Sequence, residues 1–233
     1  MKIKVCGMRE PDNIRAVENL GVDMIGLVFW KKSPRYVASV PSYAGTIPDY
    51  AGAAACKDGK GCGRHIGRVG VFVNEMPQNI ITAVYNYGLD YVQLHGDESP
   101  TMIDNLRRTI DPDIHPGIKF IKAISVGAAD DVKRWREYRD TADMLLFDTK
   151  GKSAGGNGLQ FDWSVLDAYD GDIPFLLSGG IGPEDARKVL SFKHPRMLGI
   201  DLNSRFETAP AQKDVALLNK FINEIKEEYE QNR

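Results

Sequence analysis

The sequence has no apolar run long enough to cross a membrane, and its first ten residues, MKIKVCGMRE, are charged and carry no apolar signal core. Three cysteines in 233 residues do not make a disulfide framework, so a reducing cytoplasm is the expected compartment. Charge of neither sign is in excess. Thirty Lys and Arg stand against 32 Asp and Glu, a net charge of −2, with no basic stripe or acidic tail. That balance counts against nucleic acid and membrane surfaces as partners. The first glycine turn, Cys6-Gly7-Met8-Arg9, lacks the G-x-G-x-x-G pattern, which counts against a dinucleotide-binding fold. No cluster of His, Cys and carboxylate stands at ligand spacing, so no metal is expected.

What is present is a rhythm. Short β-branched runs at residues 3–6, 24–29, 67–73, 91–94, 118–124, 144–147, 174–177 and 197–202 are nearly continuous in apolar character, as parallel strands covered on both faces are. Between them, residues 79–87, 102–110, 131–138, 185–190 and 215–229 carry apolar residues at three- and four-residue spacing and predict helices. Pro183 is expected to open the seventh helix. Eight strands alternating with helices predict a single-domain α/β chain, a (β/α)8 TIM barrel spanning 1–233. Residues 38–65 break the rhythm with two prolines and five glycines, and predict an irregular, longer connection. Cys56 and Cys62 lie in it. As a metal half-site they would need two more ligands, and only His65 is near, so a surface insertion with two thiols is the reading taken.

A barrel collects its chemistry at the C-terminal ends of its strands. Those ends carry Cys6, Ser33-Pro34-Arg35, Asn74, Gln93-Leu94-His95-Gly96, Lys122 with Ser125, Asp148, Ser178-Gly179-Gly180 and Asp201-Leu202-Asn203-Ser204. Singly, each has an ordinary explanation. A cysteine ending an apolar strand is often a small buried hydrophobe, and an aspartate there is often a helix N-cap. Lys122 reads equally as a snorkelling strand residue or a substrate contact. His95 reads as a hydrogen-bonded pocket residue rather than a metal ligand. Together they say more. A thiol on the first strand and a carboxylate on the sixth face each other across a barrel mouth, which suits proton removal on one side of a small substrate and delivery on the other. The paired glycines after strand 7 let backbone N–H groups approach an anion, where such barrels usually hold phosphate.

Nine segments in order then carry a resemblance over almost the whole chain. They are Lys4-Val5-Cys6-Gly7-Met8, Gly26-Leu27-Val28-Phe29, Ser33-Pro34-Arg35-Tyr36-Val37, Gly70-Val71-Phe72-Val73-Asn74, Val92-Gln93-Leu94-His95-Gly96-Asp97-Glu98, Phe147-Asp148, Gly155-Gly156-Asn157-Gly158 with Phe161-Asp162-Trp163, Leu177-Ser178-Gly179-Gly180-Ile181, and Gly199-Ile200-Asp201. The chain resembles the phosphoribosylanthranilate isomerase family of tryptophan biosynthesis. The resemblance implies an Amadori rearrangement of a phosphorylated sugar amine, with no cofactor or metal. It implies Cys6 as general base and Asp148 as general acid. It implies Arg35 facing the anthranilate carboxylate, and phosphate held by amides of Gly180, Ile181, Asn203 and Ser204. His95, Gly179 and Asp201 complete the expected substrate-binding set.

The sequence departs from the family pattern in two places. The loop after strand 8 usually reads Ser-Ser-Gly, and here it is Asn203-Ser204-Arg205, which leaves Arg205 either facing solvent or replacing a phosphate contact. The other is the long 38–65 segment. The nearest rival is the histidine-pathway aldose–ketose isomerase, which shares the fold but uses two aspartates. Cys6 in place of the first aspartate argues against it, though a minor second activity stays open. A non-catalytic phosphate-binding barrel would be free to lose Cys6 or Asp148, and both are present. The charged outer helices favour a monomer.

Overall fold

The computed structural model describes residues 1–38, 65–150 and 160–231. Eight strands, β1 (Lys2–Val5), β2 (Met24–Val28), β3 (Gly67–Phe72), β4 (Tyr91–Leu94), β5 (Lys119–Val126), β6 (Met144–Thr149), β7 (Phe175–Leu177) and β8 (Met197–Leu202), close into a parallel barrel in chain order. The seam is β8 against β1, in register from Lys2↔Gly199 to Val5↔Leu202. Successive side chains alternate between the two faces. On β6, Leu146 packs inside the barrel with Met24, Val69, Ile121 and Leu176, while Leu145 and Phe147 join the outer layer between strands and helices. That same alternation turns Cys6 and Asp148 inward.

The helices are α1 (Pro11–Glu18), α2 (Pro77–Tyr87), α3 (Pro100–Ile110), α4 (Ala129–Val132), α5 (Ala186–Ser191) and α6 (Val215–Gln231). α2 and α3 begin two residues before the periodic pattern does, because Pro77 and Pro100 occupy first-turn positions where a missing N–H costs nothing. Residues 131–138, expected as one helix, divide into the end of α4 and a 3-10 segment, Lys133–Tyr138. Pro183 does not open a helix. It sits in a turn, and α5 starts at Ala186 because Asp185 caps that turn by accepting the Gly182 amide at 2.6 Å. α1 and a small hairpin, β9 (Glu207–Ala209) with β10 (Gln212–Lys213), were not expected. No helix among the described residues is long and apolar enough to cross a membrane. Cys56, Cys62 and the Gly155–Gly158 motif lie outside the described residues.

Candidate active site

The C-terminal mouth of the barrel is a cleft with about 820 Å³ of empty space, the open solvent at its top included. All ten residues expected in the site line it: Cys6, Arg35, His95, Asp148, Gly179, Gly180, Ile181, Asp201, Asn203 and Ser204. Lys122 does not. Its ammonium bonds Glu98 at 3.1 Å and the Leu94 carbonyl at 3.2 Å. Glu98 in turn accepts the amides of Asn74 at 2.8 Å and Gly96 at 2.9 Å. Lys122 and Asn74 therefore brace the loops after β3 and β4 and leave the substrate to others. Trp30, Thr149 and Arg205 also border the mouth.

One wall carries the thiol. Cys6 follows β1 directly and its amide bonds the Leu202 carbonyl at 2.8 Å, which fixes it to β8. Two residues earlier, on the same inward face, Lys4 is fully buried and its ammonium lies 2.8 Å from Asp201 Oδ1. Asp201 Oδ2 accepts the Ser178 hydroxyl at 3.2 Å. The Lys4 cation also acts on Cys6 electrostatically. Burial pushes the Cys6 thiol up, the Lys4 cation opposes that, the Asp201 charge reinforces it, and Lys213 opposes it from further off. Burial disfavours the Lys4 ammonium, but the adjoining Asp201 more than offsets this and holds it above its usual value.

The opposite wall carries the carboxyl. Asp148, near the end of β6, is buried. Its Oδ1 accepts the Thr149 amide at 2.9 Å, and its Oδ2 lies 3.1 Å from His95 Nε2. Gln93, two residues before His95 on the same face of β4, places its Nε2 3.0 Å from His95 Nδ1. A donor facing Nδ1 leaves the ring proton on Nε2, directed at Asp148. Gln93 Oε1 is buried without a partner. An amide turned by half a rotation would satisfy Oε1 with an Nδ1 proton and present the Nε2 lone pair to Asp148. Either way Gln93 sets whether the Nε2 that faces Asp148 carries the ring proton.

Between the walls lie two anion-facing features. Gly179 and Gly180 have φ of +89° and +68°, and a Cβ on Gly179 would fall 2.2 Å from Thr149 Oγ1. Side-chain-free, left-handed backbone here lets β7 lie close against β6 at the edge of the mouth. The amides of Gly180, Ile181 and Ser204 meet no acceptor among the described residues. Arg205 folds across Gly182 and pairs with Glu184, so it is neither free in solvent nor committed to the cup. Arg35 lines the mouth, but its guanidinium is already gripped by Glu207 on β9, with Nε to Oε1 at 2.9 Å and Nη2 to Oε2 at 2.6 Å.

Sequence reasoning did not find Glu207, Lys213 or the function of Lys4 and Gln93. The signal for Lys4 and Gln93 was available. Each is a polar side chain on the inward parity of an apolar strand, two positions before a chosen residue. Glu207 and Lys213 left no such trace.

A closed eight-stranded barrel with a thiol and a carboxyl on opposite walls and free amides after β7 and β8 is an acid–base (β/α)8 enzyme framework built for a small anion. The comparisons specify it further. The family model for N-(5'phosphoribosyl)anthranilate (PRA) isomerase matches residues 53–224. An N-(5'-phosphoribosyl)anthranilate isomerase of Parabacteroides distasonis is 42% identical over 225 residues, covering 97% of this chain and 93% of that one. A crystal structure of phosphoribosylanthranilate isomerase in complex with reduced 1-(o-carboxyphenylamino)-1-deoxyribulose 5-phosphate superposes with a TM-score of 0.72 at 28% identity, covering 97% and 99% of the two chains. A monomer generated from the dimeric Thermotoga maritima enzyme gives 0.71 at 28% identity, with the same coverage. The chain belongs to the N-(5'-phosphoribosyl)anthranilate isomerase family.

Proposed function

We propose that the chain isomerises N-(5-phosphoribosyl)anthranilate to 1-(2-carboxyphenylamino)-1-deoxyribulose 5-phosphate, the Amadori step of tryptophan biosynthesis, with Asp148 as general acid and Cys6 as general base. Asp148 gives its proton to the furanose ring oxygen as the C1–O bond breaks, and the nitrogen lone pair forms the C1=N bond of an open-chain iminium. Cys6, as thiolate, takes the C2 proton. The C2–H electron pair becomes the C1=C2 bond, and the iminium pair returns to nitrogen. Tautomerisation of that enolamine, with a proton gained at C1 and the C2 hydroxyl proton lost, gives the ketone. Arg35 holds the anthranilate carboxylate. The amides of Gly180, Ile181, Asn203 and Ser204 hold the phosphate, with His95, Gly179 and Asp201 shaping the site.

The observation that carries this reading is the pair of opposed groups in one cavity, each with its own polar support: Lys4 at Cys6, and His95 at Asp148. Cys6→Ala and Asp148→Asn are expected to lower kcat by roughly 10²–10⁴-fold with little change in binding. The assay follows the loss of fluorescence of freshly made phosphoribosylanthranilate. Near-native turnover in either variant removes that residue from the mechanism.

The same reading takes the chain as one barrel domain acting as a monomer in the cytoplasm, without cofactor or metal. The large apolar side chains exposed among the described residues are Met76 and Tyr85, which is little for a stable partner face. Sedimentation at assay concentration decides this, and a dimer there overturns it.

A further inference from the structure

We propose that Glu207 is a positioning residue for recognition of the substrate's carboxylate: it holds Arg35 by one edge so that the other edge is presented to the mouth. The inference rests on the reading above that Arg35 meets that carboxylate.

A guanidinium offers five N–H donors in a rigid fork. Glu207 takes one edge, with Nε 2.9 Å from Oε1 and 3.1 Å from Oε2, and Nη2 2.6 Å from Oε2. Nη1 has no protein partner among the described residues, and Arg35 borders the cavity. The substrate carboxylate therefore meets the Nη1 side of a fork whose orientation is already set.

Glu207 is itself held from behind. Lys213, with no side-chain exposure, reaches Glu207 Oε1 at 2.6 Å and Asn203 Oδ1 at 2.8 Å. The Lys213 backbone is clamped by Asn13 of α1, which accepts its amide at 2.8 Å and donates to its carbonyl at 2.9 Å. The hairpin of β9 and β10 is thus pinned to the barrel wall, and Glu207 extends from it as a fixed post. Gly7, at φ +76°, completes the arrangement. A Cβ there would stand 2.5 Å from Arg35 Cδ and 2.7 Å from Asn203 Oδ1, so only glycine leaves room for both. Through Lys213 and Asn203, the carboxylate arm and the phosphate loop share one support.

Glu207→Asp is the informative variant, because it keeps the charge and retracts the post by one methylene. Its KM for phosphoribosylanthranilate is expected to rise about tenfold, with kcat within about threefold of wild type. Affinity for a reduced product analogue built on aniline, which lacks the carboxylate, should stay within about twofold. In an Arg35→Met background, where the fork is gone, Glu207→Asp should add less than a twofold change. Unchanged or lower KM in Glu207→Asp overturns the proposal, because charge without position would then suffice. Equal losses for substrate and aniline analogue, or fully additive effects with Arg35→Met, also overturn it, since Glu207 would then support the mouth generally. If Arg35→Met alone leaves KM unchanged, it is the carboxylate assignment of Arg35 that fails.

Discussion

Replacing Lys4 by methionine tests how a buried thiol can serve as a base. Lys4 is wholly enclosed, 2.8 Å from Asp201, and its cation acts on Cys6 electrostatically. Methionine fills similar volume and removes the cation, leaving Asp201 buried with Ser178 as its remaining partner. Breaking a buried ion pair on one side costs about 3–5 kcal/mol. A domain of this size loses roughly 2–4 °C of Tm per kcal/mol, so a fall of about 6–20 °C is expected. The pair's contribution in wild type does not vary near neutrality. The Lys4 pKa is raised above the usual lysine value of 10.5, so its stabilisation is complete below that value and is lost only as pH climbs through the folded value. The second consequence concerns Cys6. Burial already pushes its thiol up, and Lys4 is the nearest opposing charge. A base acts as thiolate, so activity rises as pH rises through the thiol's ionisation, and Lys4→Met should move that limb to higher pH. Asp201→Asn should move it the other way, because a negative charge that disfavours the thiolate is removed. The assay is the pH dependence of iodoacetamide alkylation at Cys6 in a Cys56→Ser/Cys62→Ser background, read beside the kcat/KM profile. Arg35 and Lys213 also face Cys6 electrostatically and are unchanged in every variant. Superimposable alkylation profiles for wild type, Lys4→Met and Asp201→Asn would refute the argument. So would a shift of the same sign in both variants.

Arg35→Lys should already raise KM, because an ammonium cannot hold Glu207 and the substrate carboxylate together, and Arg35→Met should raise it further. A carboxylate-free analogue that suffers equally in both would sink the assignment. Gly180→Val is expected to abolish measurable affinity for inorganic phosphate by forcing a branched side chain into backbone at φ +68° beside the amide cup, and undiminished affinity would move the anion elsewhere. Arg205→Ala, whose side chain is held by Glu184, should change phosphate affinity by less than about threefold. KM should change less than about threefold between 0.05 and 0.5 M NaCl, since the cations at the mouth are paired at close range. A tenfold rise would mean that unpaired charge attracts the substrate.

The barrel was legible because parallel strands covered on both faces read as apolar runs, and the runs fell within a few residues of β1 to β8. The site was legible for a related reason. Cys6, His95, Asp148 and Asp201 sit on the inward parity at or near strand ends, so finding the strands nearly found the site. What stayed hidden depends on chain-distant contact. The pair Lys4–Asp201 spans 197 residues and Arg35–Glu207 spans 172, and neither leaves a periodic trace. α1 was missed because it is eight residues long and one of its buried positions is a polar one, Asn13, whose partner is backbone 200 residues away. The helix expected at 131–138 tightened to 3-10 after Val132, a choice of hydrogen-bond register that apolar spacing does not distinguish.

The ionic groups of the mouth explain how the site proposed for a substrate with a carboxylate and a phosphate can be built with almost no excess charge. Lys4 is paired with Asp201, Arg35 and Lys213 share Glu207, and Arg205 holds Glu184. Asp148 is left facing His95 Nε2. A fully unpaired cation buried in the mouth would bind anions without regard to shape and would itself be costly to bury. Pairing lowers that cost and, on the proposed reading, turns each cation into a directed donor: the Nη1 edge of Arg35 for a carboxylate, the Lys4 ammonium for a thiolate. On the proposed reading, phosphate affinity then falls to backbone amides, which carry no net charge and cannot rotate away from the loop that places them. In this arrangement a substitution at one ion-pair partner acts mainly by misdirecting the other, and charge-conserving changes such as Glu207→Asp become as informative as charge-removing ones.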